Sequence, residues 1–232
     1  MKYSLVIPCY NEANSIPTIL DRCQDIARDY DFELIIVNNG SQDETQKVLS
    51  NYLETKFLKI VNIKVNKGYG NGILEGLKEA TGNILSWTHA DLQTDPYDFI
   101  NAIKTFEEIE NPEKIFVKGR RFGRPFSDSF FTFFMSIFES ILLQTRMSDI
   151  NAQPNAFHRS FYETWENPPK DFSLDLFVYY AARKNMLKVI KFPVLFGDRR
   201  YGHSSWNISF ASKYRFIKRT IKFSFELKRR FR

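Results

Sequence analysis

Short apolar runs alternate with amphipathic stretches through the first hundred residues of the chain. Tyr3–Pro8 and Glu33–Asn38 are rich in Val, Ile and Leu and end in polar turn residues, which predicts two buried strands. Further strands are expected near 58–63 and at Asn83–Trp87. Between them, apolar positions recur at helical spacing over about 14–29, from Asp43 to about Tyr52, and from Gly70–Gly72 to about residue 80. Strand, helix, strand in this rhythm predicts βαβ units on a mostly parallel sheet flanked by helices, an α/β fold. Pro96 opens another helix to about Ile109, and Lys114–Lys118 begins a strand that runs into Gly119-Arg120-Arg121. The loops that follow the strands should gather on one edge of the sheet, where open α/β folds bind ligands.

The pattern changes after Arg121. Phe130–Leu143 is strongly apolar but interrupted by Glu139, and it is shorter than the roughly 18 to 20 residues a membrane span needs. It reads as a buried or an interfacial helix. Residues 149–212 mix short apolar runs with polar loops. In 213–232, Tyr214, Ile217, Ile221 and Phe225 fall on one helical stripe, widened by Phe216, Phe223, Leu227 and Phe231, with basic residues over much of the rest. That is the pattern of an interfacial helix on anionic lipid, or of a basic helix docked on its own domain. The formal net charge of +6 belongs to this tail, which holds nine of the 33 basic and one of the 27 acidic residues. A local charge calls for a local partner, and it gives no support to nucleic-acid binding.

With 232 residues and 43% hydrophobic content, one sizeable core is expected. The expected organisation is one domain over 1–212, with a first half to 125 and a second half from 126, followed by the amphipathic tail helix. Cys9 and Cys23 suit a reducing compartment and suggest neither a disulfide framework nor a zinc site. An early polar N-terminus and the lack of a long apolar run predict a cytoplasmic protein attached peripherally to the membrane. Oligomeric state is not legible.

Candidate chemistry gathers at the loops. Asp91 and Gln93, just past the Asn83–Trp87 strand, offer a carboxylate and an amide oxygen, hard ligands suited to Mg²⁺ or Mn²⁺. Asp95 precedes Pro96 and reads as a helix N-cap. Val6-Ile7-Pro8-Cys9-Tyr10-Asn11-Glu12 ends the first strand, Ile35-Ile36-Val37-Asn38-Asn39-Gly40-Ser41 the second, and Ala90-Asp91-Leu92-Gln93 a later one. In this order the three motifs resemble the family 2 glycosyltransferases of GT-A fold, and within them the polyprenyl-phosphate sugar synthases. The resemblance covers about residues 3–125 well and the rest loosely.

The resemblance implies a nucleotide-sugar donor, a divalent cation (Mg²⁺ or Mn²⁺) and an inverting transfer to a polyprenyl phosphate or to a glycan hydroxyl. It implies that Pro8, Tyr10 and Glu12 line the nucleotide pocket, with Asn38 beside the base and Lys67 and Gly68 adjacent. Asp91 and Gln93 would hold the cation, with His89 either a third ligand or a packing residue. Two departures stand out: Asn38-Asn39 replaces the usual acidic pair, and His89 the usual Asp. The resemblance also implies that Asp149–Phe157 closes on the donor sugar and that Arg199, in Asp198-Arg199-x-x-Gly202-x-Ser204, faces phosphate. Arg120, Arg121 and Arg124 are further phosphate candidates. A hydroxyl acceptor needs a carboxylate base, and Asp175, with Asp171 behind it, stands in that place. A phosphate acceptor, mostly dianionic above its second pKa of about 6, needs none. The readings are transfer to polyprenyl phosphate at the cytosolic face of the membrane, transfer to a sugar hydroxyl in surface-polysaccharide assembly, or a non-catalytic nucleotide-sugar-binding subunit.

Overall fold

In a computed structural model, the structure describes residues 1–123, 126–199 and 210–231. Seven strands form one sheet: β1 (Tyr3–Cys9), β2 (Phe32–Asn39), β3 (Leu58–Ile63), β4 (Ile84–Trp87), β5 (Ile115–Phe122), β6 (Asn155–His158) and β7 (Lys188–Leu195). Their order across the sheet is β3-β2-β1-β4-β6-β5-β7. Among the described residues only β6 runs antiparallel to its neighbours, β4 and β5. The expected mostly parallel sheet is present, and the antiparallel strand lies inside the segment that the sequence presented as a loop.

The helices are α1 (Ile16–Asp29), α2 (Thr45–Ser50), α3 (Tyr69–Glu79), α4 (Phe99–Glu107), α5 (Phe126–Leu142), α6 (Arg159–Tyr162), α7 (Leu174–Lys184) and α8 (Phe210–Arg230). Two-residue alternation along the strands divides the core into two layers. Leu5, Ile7, Leu34 and Ile36 pack with Ile19, Cys23 and Ile103 of α1 and α4 on one face. Val6, Ile35 and Val37 pack with Ile73, Leu77, Phe177 and Tyr180 of α3 and α7 on the other. Phe223 and Leu227 of α8 are buried in this second layer, and Phe231 meets Tyr180 with centroids 5.2 Å apart. Part of the tail helix's apolar stripe is thus docked on its own domain, while Lys218, Lys222 and Arg229 stay exposed.

The α5 helix is built the other way round. It buries Ser136 and Glu139 while Phe133, 60% exposed, Phe134, Ile137 and Ile141 face outward. Among the described residues no helix is long and apolar enough to cross a membrane.

Strand order positions the site. After β1 the chain goes to one side, through β2 and β3, and then returns to the other side as β4. The carboxyl ends of β1 and β4 therefore flank the point where the winding reverses, the crevice in which open α/β sheets take ligands.

Candidate active site

The loops after β1 and β4 carry the predicted acids, and a side chain from beyond β7 joins them. Glu12, nearly buried, accepts from Ser15 Oγ at 3.0 Å and from the Arg199 guanidinium. Arg199 Nη1 also lies 3.9 Å from Asp91 Oδ2. Burial pushes the Glu12 carboxyl up, against the opposing pull of Arg199 and Ser15. Gln93 is held twice to Gly197: its backbone oxygen accepts from Gly197 N at 2.9 Å, and its Nε2 donates to the Gly197 oxygen at 3.2 Å. The cation loop and the arginine loop are therefore joined as one wall.

The donor set suits a hard cation. Asp91 Oδ1 accepts from Gln93 N at 3.2 Å, and Oδ2 already faces a positive group. With Gln93 Nε2 committed to Gly197, its amide oxygen is the atom left to ligate. Among the described residues no group of three or more His, Cys, Asp and Glu side chains gathers to hold a metal. Two protein oxygens completed by phosphate and water is a set that Mg²⁺ or Mn²⁺ accepts. His89 is half-buried and stacks on Tyr69 at 5.3 Å, and Phe172 stacks on the same ring at 4.8 Å.

The nucleotide-side residues divide. Pro8, next to last in β1, lies beside Val37, and Tyr10 is exposed just beyond the strand, where it can stack on a base. Asn38 is buried, and its Nδ2 donates to Gln46 Oε1 at 2.7 Å and Asn62 Oδ1 at 3.3 Å, while its Oδ1 accepts from Ser41 N. Gly68 has φ +112, and a Cβ there would lie 2.5 Å from the Lys170 oxygen. The close approach that its lack of a side chain permits is therefore to the chain's own backbone. Lys67 lines a cavity of about 370 Å³ with Lys170, Arg219 and Lys222 of the α8 side.

The phosphate candidates are also separated. Arg120 is exposed, Arg121 lies over the Phe196 ring at 5.3 Å, and Arg124, with Arg200–Ser205, falls outside the described residues. Asp95 caps as expected, its carboxylate accepting from Tyr97 N at 2.9 Å. Asp171 accepts from Ser173 N and pairs with Arg219 at 3.1 Å.

Asp175 is 3% exposed. Its Oδ1 accepts from Gln153 Nε2 at 2.8 Å and from Asn155 Nδ2 and Trp87 Nε1, both at 3.2 Å. Burial raises its carboxyl, opposed by His89 and Lys118. Sequence reasoning gave no role to Trp87, Tyr69 or Lys118, and offered Gln153 and Asn155 for sugar hydroxyls, whereas both are buried and turned to Asp175. The available signal was Lys118 itself, a cation directly following Ile115-Phe116-Val117 in a core strand.

The family model described as Glycosyl transferase family 2 matches residues 4–167, well over half the chain. The chain belongs to glycosyl transferase family 2. Among curated proteins it is 29% identical over 216 residues to an undecaprenyl-phosphate 4-deoxy-4-formamido-L-arabinose transferase of Photorhabdus laumondii, covering 89% of this chain and 63% of that protein. The protein of the same name from Proteus mirabilis is 34% identical over 113 residues, 46% of this chain and 34% of the relative. The family 2 chain thus spans less than two thirds of the length of these relatives.

Solved structures share its fold. A mannosyltransferase from Pyrobaculum calidifontis in complex with GDP-Man and Mn²⁺ superposes with a TM-score of 0.66 at 22% identity, covering 88% of this chain and 59% of that one. Glucosyl-3-phosphoglycerate synthase from Mycobacterium tuberculosis, in complex with Mn²⁺, UDP and glucosyl-3-phosphoglycerate, gives 0.73 at 14% identity, covering 98% and 79%. The architecture is the GT-A fold of these glycosyltransferases, as the three loop motifs implied.

Proposed function

We propose that this chain transfers a sugar from a UDP- or GDP-linked donor to a polyprenyl phosphate, with inversion at the anomeric carbon. The observation that carries the reading is the convergence of Glu12, Asp91 and Arg199 at the reversal point between β1 and β4. Tyr10 and Glu12 bind the nucleoside, with Pro8, Asn38, Lys67 and Gly68 shaping the pocket around it. Asp91 and Gln93 hold a divalent cation, which, when bound, neutralises charge on the leaving diphosphate. Arg199 adds a guanidinium to the same charge. An oxygen of the acceptor phosphate attacks the anomeric carbon, and the bond to the diphosphate breaks with its electron pair leaving on the nucleotide. In this reading His89 packs on Tyr69 beside the cation loop.

The acceptor choice rests on Asp175 and on the relatives. A carboxylate base must reach the hydroxyl it deprotonates, yet Asp175 is buried with its Oδ1 already accepting three side-chain donors. A dianionic phosphate needs no base, and relatives covering 89% of the chain are named for undecaprenyl phosphate. Such an acceptor lies in a membrane, and the outward Phe133, Phe134, Ile137 and Ile141 of α5 suit a peripheral contact, with the basic surface of α8 beside anionic lipid.

The test is donor turnover across UDP- and GDP-sugars, with Mn²⁺, Mg²⁺ or EDTA, and with polyprenyl phosphate or a glycan as acceptor. Cation-dependent transfer to the lipid phosphate is expected. Transfer to the glycan alone would restore Asp175 as a base. Nucleotide binding without any turnover would leave a binding subunit.

A further inference from the structure

Lys118 is a lysine buried in a core strand. It lies on β5, is 0% exposed, and donates to the backbone oxygens of Asp149 and Ile150, each at 2.7 Å. Its Nζ sits 4.6 Å from the centroid of the Tyr179 ring. These two carbonyls precede β6, whose ladder begins at Asn155, so strand pairing does not hold them. The other end of the same segment is held by Asp175, through Gln153 and Asn155. Gln153 Nε2 also reaches Tyr69 Oη at 3.2 Å, and Tyr69 carries the His89 ring, two residues before Asp91. Segment 149–155 is therefore clamped at one end through its backbone by a buried lysine and at the other through its side chains by a buried carboxyl. Through Tyr69 the second end is linked to His89, beside the Asp91 loop.

A buried ammonium is costly even when paired, and an apolar side chain would fill a core strand at lower cost. A charge kept there is explained if it sets geometry that packing alone leaves loose. We infer that Lys118, together with Asp175, is a positioning residue that holds segment 149–155 against Tyr69, a rigid wall beside His89 and the Asp91 loop. The inference rests on the proposed transfer reaction for its functional half only. Misplacing such a wall by an ångström slows the reaction far more than it weakens binding of the nucleotide.

Lys118→Met removes the charge and keeps the length. In the full chain, backbone amide exchange within 149–155 should speed up while β1 and β2 stay protected. Calorimetric binding of UDP or GDP with Mn²⁺ should be little changed. The kcat for transfer should fall at least about tenfold, and Lys118→Arg should recover much of it. Faster exchange with native kcat and KM would reduce Lys118 to a structural role, and unchanged exchange would remove the clamp; either result overturns the inference. Should Lys118→Met fail to fold, the double variant Lys118→Met/Asp175→Asn, which leaves no uncompensated buried charge, should fold and be slow; native kcat in it would also overturn the inference. If the native chain turns over no donor, the function reading fails, and amide exchange still decides whether the clamp exists.

Discussion

Glu139 lies at the seam where α5 meets α8, 1% exposed. Its Oε1 is 2.7 Å from Ser224 Oγ, and the same Oγ is 2.8 Å from the Thr220 carbonyl oxygen. The Ser224 hydroxyl has one hydrogen and the carbonyl can only accept. The Ser224 hydrogen is therefore shared between the Thr220 carbonyl and Glu139 Oε1, a weak donor for a buried carboxylate. Glu139 Oε2 is buried without a hydrogen-bond partner, which also favours the neutral acid. Burial accordingly pushes this carboxyl from its ordinary 4.5 up to about 7, against the weaker opposing effect of Ser224.

Between those two values the folded chain holds a proton that the unfolded chain has released, so stability falls as pH rises. The stability present below about 4.5 is lost as pH passes through about 7. At about 1.4 kcal/mol per pKa unit, the loss by pH 8 is roughly 3 kcal/mol. Glu139→Gln keeps the shape and removes the titration. Urea unfolding of both proteins at pH 5 and pH 8 should give similar stabilities at pH 5 and a more stable variant at pH 8. Parallel pH dependence in the two proteins, or a variant less stable at pH 8, would refute the assignment of a neutral buried acid.

Gly119→Ala would place a Cβ 2.1 Å from the Gln153 oxygen, so β5 or segment 149–155 must move. A cost of about 1–3 kcal/mol is expected in thermal unfolding, with slower transfer, and a native melting curve with native kcat would contradict it. Phe133→Asp/Phe134→Asp should weaken sedimentation with anionic vesicles while leaving turnover of a water-soluble acceptor intact, and binding by the native chain should fall with added salt. Vesicle binding indifferent to both the substitutions and salt would remove α5 and α8 as the membrane-facing pair.

Much of the fold was legible because it is written locally. Leu5, Val6 and Ile7 announce a strand buried on both faces, and the turns that follow β1, β2 and β4 carry their own motifs. Asp95 declared its capping role through the proline beside it. What the sequence left open was orientation. The apolar content of α5 was plain, but which way it faces depends on the neighbour that receives Ser136 and Glu139. The polar side chains of 149–157 suggested sugar contacts, yet Gln153 and Asn155 turn inward because a buried carboxylate on α7 needs their donors.

The sequence by itself determined the elements of the first 121 residues, their βαβ rhythm and the chemical types at the strand ends, since hydrophobic period and turn residues act within a few positions of one another. Only the tertiary structure decided which of those residues meet. Glu12, Asp91 and Arg199 are far apart along the chain, and they converge because the sheet reverses its winding between β1 and β4 while Gln93 ties the last loop to the second. Lys118 and Asp175 come to hold the two ends of segment 149–155 only because β5 and α7 pack on either side of it. Burial, which no local pattern specifies, is what gives such charges their force.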